Sequence, residues 1–177
     1  MLLGLTDVFR SKGYEGASLN DLAEATGLKK ASLYHRFPDG KQAMAVAVMD
    51  HIEKWVEENI VKSLLDVDKT PQERLKNGLS NIKTFYDAGN KDCIFRALSM
   101  QTGLTLFAEQ IKGGMDAWIS TFSEIGLALG QSQQNAHNSA LQALVEIQGS
   151  LIVSRGMNDI TVFDNTLKNI EKRYLSD

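Results

Sequence analysis

The chain has 177 residues, 43% of them hydrophobic and 23% charged, with a formal net charge of -3. This is the composition of a globular chain long enough to bury a sizeable core, sufficient for one small and one medium domain, and it excludes disordered and disulfide-framework classes. The mild acidity excludes a general nucleic-acid coat and leaves a local basic patch as the feature to look for.

Apolar residues recur at helical spacing almost throughout, and only Pro38 and Pro71 interrupt the length, so an all-α fold is predicted. A first helix puts Leu2, Leu5, Val8 and Phe9 on one face and ends at Gly13, where a left-handed C-cap is easiest for glycine. Ser18 then offers an N-cap hydroxyl with Asp21 at the third helical position, opening a short helix that buries Leu19, Leu22 and Ala23 and ends at Gly27. A third short helix runs from about Lys29 to Arg36, with Leu33, Tyr34 and Phe37 available for packing, and Pro38 marks its end.

From Asp39 or Gly40 a long helix carries Met44, Val48, Ile52 and Trp55 inward and extends to about Leu65. It contains the longest uninterrupted apolar run, Ala43 to Met49, far below the roughly 18 residues of a membrane span. The N-terminus lacks a basic region followed by an apolar stretch, so neither insertion nor export is indicated and a cytoplasmic location is expected. Thr70-Pro71-Gln72-Glu73 combines a hydroxyl cap, proline at the first helical position and glutamate at the third, so another helix begins there and buries Leu75, Leu79, Ile82, Phe85 and Tyr86.

After a polar break from Ala88 to Asp92, one helix is expected from Cys93 to Phe107. The next carries Ile111, Met115, Trp118, Phe122, Ile125 and Leu129 at alternating steps of four and three, and Gly130 closes it. Gln133 to Arg155 is apolar on two faces, Ala140, Leu144, Ile147 and Leu151 on one and Leu141, Val145 and Ile152 beside it. Such a helix wants two partners. A last helix from about Asp159 brings Phe163, Leu167, Ile170 and Tyr174 to one side.

Function concentrates between Ser18 and Pro38: two short helices joined by a glycine-containing turn, the layout of a helix-turn-helix. Ala23 and Ala31 let the helices approach closely. The second helix gathers Lys29, Lys30, Ser32, Tyr34, His35 and Arg36 within eight positions. Lysine, serine and tyrosine bind phosphate oxygens, while Lys30 or Arg36 can reach guanine acceptors in the major groove.

Phe9, Gly13-Tyr14, Ser18, Leu22-Ala23, Gly27-Leu28, Leu33-Tyr34-His35 and Phe37-Pro38 together resemble the DNA-binding signature of TetR-family transcriptional regulators. That resemblance covers about the first 50 residues. It implies an N-terminal helix-turn-helix domain, residues 1–50, followed by an effector-binding and dimerisation domain, residues 51–177. It also implies that Ser18 caps its helix and touches phosphate, that Lys29, Lys30, Ser32, Tyr34 and His35 form the recognition surface, and that Lys41 pins the start of the fourth helix to the DNA backbone.

The chain departs from the pattern twice. Phe37-Pro38-Asp39-Gly40-Lys41 has one residue more than most members between the phenylalanine and the lysine, which resembles the LmrA/YxaF-like branch, as do Lys91-Asp92-Cys93, Trp118 and Gln148 to Arg155. Members also usually carry a basic arm before the first helix, whereas this chain begins almost inside it, leaving open a trimmed N-terminus or weaker DNA binding.

For the second half the resemblance implies a homodimer formed by the last two long helices, with Leu141, Val145, Gly149, Ile152, Phe163 and Ile170 as candidate interface residues. Paired recognition helices about 34–36 Å apart would then meet successive major grooves of a palindromic operator. It further implies a pocket for a small apolar effector, with Phe85, Phe95, Met100, Trp118 and Phe122 as candidate wall residues, although aromatics at helical spacing are more often core fillers.

Cys93 is the single cysteine, so no intrachain disulfide forms, which suits a reducing compartment; it reads as a small buried residue ahead of a redox sensor. His51 and His137 lack acidic or thiol partners at ligand spacing, so no metal is expected, and no cofactor. No nucleophile-base pair or phosphate-cradling glycine loop stands out, which argues against an enzyme. The remaining alternative is a helical sensor or adaptor that does not bind DNA, because the first fifty residues balance six cations against six carboxylates.

Overall fold

Local capping chemistry delimits the first helices in the computed structural model, which describes Met1–Ser176. Helix α1 spans Leu2–Gly16 and buries Leu5, Val8 and Phe9. Gly13 takes φ 70°, but the chain kinks there and continues for another turn where the sequence predicted an end. Ser18 caps α2, Leu19–Thr26, in a full capping box with Asp21, and Gly27 closes it at φ 67°. Helix α3 is Lys30–Arg36, anchored by buried Leu33. After the inserted turn, α4 begins at Gly40 and runs to Val56, burying Met44, Ala45, Val48, Met49 and Ile52.

The long helix then widens into a π-helical turn, Glu57–Val61, before a last α-turn, α5, Lys62–Leu64. Such a turn leaves backbone groups off the regular ladder, and two asparagines meet them: Asn59 Nδ2 donates to Trp55 O at 2.8 Å, and Asn81 Nδ2 donates to Asn59 O at 2.6 Å. Thr70, Pro71 and Glu73 open α6, Pro71–Phe85, with the expected reciprocal box. Buried Gly78 takes the Leu64 side chain so closely that an added Cβ would lie 2.4 Å from it, which lets α5 lie against α6.

The expected helix from Cys93 to Phe107 is broken. It forms α7, Ile94–Leu98, and α8, Gln101–Leu106, separated at Gln101, a non-glycine residue at φ 44°. Both pieces pack on α1. Tyr14 sets its ring edge-on to Phe107 with centroids 5.1 Å apart, and Glu15 Oε1 accepts the Gly103 N–H at 3.1 Å. Helix α9, Ala108–Ala128, carries the predicted seam, with Ile111, Trp118, Phe122 and Ile125 buried, and the chain turns at Gly130. Helix α10, Gln133–Met157, ends at a left-handed Asn158, and α11, Thr161–Leu175, buries Phe163, Leu167, Ile170 and Tyr174. Among the described residues there is no strand, and no helix is long and apolar enough to cross a membrane.

Two compact units result. The first joins Met1–Lys54 to Asp92–Lys112, and the second takes Trp55–Lys91 and the chain from Gly113 onward. The sequence division at residue 50 therefore differs: a segment placed in the second domain packs with the first unit, because apolar periodicity along one helix does not reveal which partner receives it. Within the second unit, α10 packs on α11 and α6 on both α11 and the π-turn. Arg173 clamps α11 to α10 through a bidentate pair with Glu146 at 2.9 and 3.0 Å.

Candidate nucleic-acid interface

Seven residues are enough for α3 because it needs only one buried anchor. Leu33 points inward, while Lys29, Lys30, Ser32, Tyr34, His35 and Arg36 are all exposed. The six donors predicted to lie together are therefore all open to solvent around the one buried anchor. Large aromatic side chains are usually sequestered, yet Tyr34 is 46% exposed, presenting ring and hydroxyl to solvent. Gly40 at φ 65° lets the chain turn beneath it; a Cβ there would sit 3.4 Å from Tyr34 Cε1. Arg36 Nη1 reaches Met1 Sδ at 3.5 Å, so the end of α3 lies beside the start of α1.

Ser18 is occupied by its cap. Its hydroxyl donates to Asp21 Oδ2 at 2.7 Å and accepts the Asp21 N–H at 3.1 Å. The same carboxylate takes Lys12 Nζ at 2.6 Å, and the hydrogen bonds from Lys12 first and Ser18 second hold Asp21 down at about 2. Lys12 is a cation on α1 that sequence reasoning passed over, and this pairing places it on protein.

Lys41 sits differently from its expected place on the DNA backbone. Its ammonium donates to Tyr14 O at 2.7 Å and Ala17 O at 3.2 Å and lies 4.5 Å from the centre of the Tyr14 ring. Two of its three N–H bonds thus close the open carbonyls at the end of α1, tying that end to the first turn of α4. Lys41 is half-buried against the end of α1.

The other expected site residues are divided between the two units. Of the effector-wall candidates, Phe95 and Met100 belong to the first unit, whereas Phe85, Trp118 and Phe122 belong to the second. Trp118 and Phe122 are 6% and 1% exposed and stack on each other at 6.2 Å, so they fill core and offer almost no surface to a ligand. Phe85 is half-buried and stacks on Trp55 at 5.0 Å; Met100 is 59% exposed. Among the dimer candidates, Phe163 and Ile170 must be withdrawn: both are fully buried within their own chain, where α11 meets its neighbours. Leu141, Val145 and Ile152 are exposed at 44, 63 and 56%, and nothing in the chain lies within 4 Å of a Cβ built on Gly149. Cys93 is buried, and no cluster of three or more metal-ligating side chains occurs among the described residues.

A capped helix, a tight glycine turn and a second helix turning hydroxyls and cations outward define a helix-turn-helix DNA-binding regulator. Residues 4–48 match the family model described as bacterial regulatory proteins, tetR family. The chain is 22% identical over 163 residues to the HTH-type transcriptional regulator LmrA of Bacillus subtilis, covering 87% of this chain and 84% of that protein. It is 34% identical over 64 residues, about a third of each chain, to IcaR of Staphylococcus aureus, the negative transcriptional regulator of the biofilm operon icaADBC. A crystal structure of a TetR transcriptional regulator from Legionella pneumophila superposes with a TM-score of 0.83 at 20% identity, covering 97% of this chain and 94% of that one. The chain is thus similar to TetR-family bacterial transcriptional regulators, through the family model over residues 4–48 and through the fold of the whole chain.

Proposed function

We propose that the chain is a ligand-responsive repressor that binds a palindromic operator as a homodimer and is released from it by a small apolar effector. The observation that carries this reading is the exposure of α3, on which Lys29, Lys30, Ser32, Tyr34, His35 and Arg36 are all open to solvent. Cations and hydroxyls on one short helix suit phosphate oxygens and the major-groove edge of guanine. Ser18 supports phosphate binding only if its hydroxyl turns from Asp21. Lys41 acts indirectly, by holding α4 to the end of α1.

The homodimer reading draws on α10, whose outward stripe of Leu141, Val145 and Ile152 flanks Gly149, a position where a partner helix can approach closely. A symmetric pairing of this stripe would hide apolar surface that a lone chain leaves in water. For the effector, the proposed contacts that keep accessible surface are Phe95 and Met100 within the first unit and Phe85 within the second. Differential binding of about 1–3 kcal/mol between operator-competent and incompetent states suffices for regulation. The direction of control follows IcaR, which is a negative regulator.

The test is binding of the dimer to DNA from its own upstream region, followed by electrophoretic mobility and footprinting. Tyr34→Ala is expected to abolish the footprint and Lys30→Ala to weaken it strongly, while the dimer stays intact by light scattering. A footprint unchanged in both variants would place the contact elsewhere, and absence of any wild-type footprint would favour a sensor that does not bind DNA.

A further inference from the structure

The four tyrosines of the chain are held in different ways. Tyr174 donates its hydroxyl to Phe122 O at 3.3 Å, the Tyr86 hydroxyl accepts Gln148 Nε2 at 3.4 Å, and Tyr14 packs its ring against Phe9 and Phe107. Tyr34, 46% exposed, makes neither an aromatic contact nor a hydroxyl hydrogen bond among the described residues. A half-exposed ring on a short helix normally samples several rotamers, and ordering it on a ligand costs affinity. A neighbour that limits those rotamers is therefore informative.

That neighbour is Gly40. A Cβ built on it would lie 3.4 Å from Tyr34 Cε1, so the bare side of the glycine faces the edge of the ring. Gly40 is buried although Pro38 and Asp39 before it are exposed, which fits a ring edge lying over it. The seat is fixed from both sides. Phe37 N–H donates to Leu33 O at 2.8 Å and Gly40 N–H to Phe37 O at 2.9 Å, so the chain folds back in a tight turn whose first central residue, Pro38, has its φ set by its own ring. Beyond it, the hydrogen bonds of Lys41 to Tyr14 O and Ala17 O hold the first turn of α4. Two demands meet at residue 40: a left-handed φ of 65°, which costs a residue with a Cβ, and open space beside a ring. Glycine satisfies both.

We propose that Gly40 is a positioning residue for DNA binding: it seats the Tyr34 ring so that the free hydroxyl is held ready for a phosphate oxygen of the duplex. The inference rests on the operator reading and deepens it, giving a role to a residue whose own N–H is spent on Phe37 O. Gly40 acts wholly through Tyr34. Rotamers that swing the ring into the start of α4 are blocked, so less freedom is lost when DNA binds, and the hydroxyl, unsatisfied within the chain, donates to phosphate.

The test is a double-mutant cycle on affinity for the upstream DNA, read by fluorescence anisotropy, with Gly40→Asn and Tyr34→Phe. Asparagine tolerates a left-handed φ, so the turn survives, while its side chain fills the space beside the ring. Each substitution alone is expected to weaken binding about fivefold or more with circular dichroism unchanged, whereas Gly40→Asn adds a factor of about two or less once Tyr34→Phe has removed the hydroxyl. If Gly40→Asn loses helical signal, the smaller Gly40→Ala takes its place, with a hydroxyl-dependent loss of about threefold expected. In the free wild-type chain a nuclear Overhauser contact between the Tyr34 ring protons and the Gly40 α protons is expected. Equal losses with and without the Tyr34 hydroxyl, wild-type affinity in the Gly40 variant, or absence of that contact overturns the proposal. Any of these beside firm wild-type binding overturns this inference alone; a wild-type chain that binds no DNA overturns the operator reading with it.

Discussion

Replacing Lys41 by Met separates a structural tie from a DNA contact. The substitution keeps the apolar stem but removes the hydrogen bonds to Tyr14 O and Ala17 O and the cation above the Tyr14 ring. A hydrogen bond from a charged donor contributes about 1.5–3 kcal/mol when well buried, and a cation–π contact about 0.5–1 kcal/mol at exposed sites. Lys41 is half-buried, so water replaces part of what is lost and the lower part of that range applies. A destabilisation of about 2 kcal/mol is expected, or a Tm lower by about 4–8 °C for a chain of this size. The assay is thermal and urea unfolding at fixed protein concentration, alongside operator affinity. Lys41→Arg, which retains charge and donors, should recover part of the loss. Wild-type stability in Lys41→Met, with operator binding lost, would refute the tie and restore Lys41 to the DNA backbone.

Other consequences follow from particular contacts. Asp21 and Asp164 are both held at about 2, Asp21 chiefly by Lys12 and Asp164 chiefly by Lys168 and then Lys83. Because these pKa values lie below the ordinary aspartate value of about 3.9, their contribution is present above that pH and is lost as pH falls from about 4 towards 2. Tm measured across that window should fall less steeply in Asp21→Asn than in wild type; an unchanged slope would contradict the Lys12–Ser18–Asp21 arrangement. Gly103→Ala would place a Cβ 2.5 Å from the Leu98 carbonyl, so α8 must shift from the end of α7. A loss of about 1–3 kcal/mol is expected, together with faster hydrogen exchange at the Gly103 amide, and neutral stability would mean the approach is looser. Val145→Arg, on a side chain 63% exposed, should leave the fold intact by circular dichroism and shift the sedimentation profile to monomer; a persistent dimer would move the interface off this stripe.

Short-range chemistry was the most legible part of the structure. The caps at Ser18 and Thr70, the glycine turn at Gly27 and the basic face of α3 each depend on residues within one or two turns of one another. Longer-range facts were not written locally. The break at Gln101 carries no proline to announce it, and what accompanies it is a close fit: Gly103 lies so near the Leu98 carbonyl that an added Cβ would be 2.5 Å from its oxygen. Lys41 looked like a phosphate contact because nothing in its own segment reveals that the end of α1 comes to meet it. Apolar spacing also treated Phe163 and Ile170 like Leu141 and Val145, since periodicity identifies a face without saying whether its partner is the same chain. Aromatics at 118 and 122 suggested a wall, but in the fold they stack and fill the interior.

The account rests on α3 meeting a duplex with its cations along the phosphates. The most direct measurement is the affinity of the chain for its upstream DNA as a function of salt. Each phosphate neutralised contributes a slope of about -0.9 in log K against log salt, so a steep decline is expected, with a slope shallower by about one unit in Lys30→Ala if that residue binds phosphate. Affinity independent of salt, or identical slopes for Lys30→Ala and the double variant Lys29→Ala/Lys30→Ala, would contradict it.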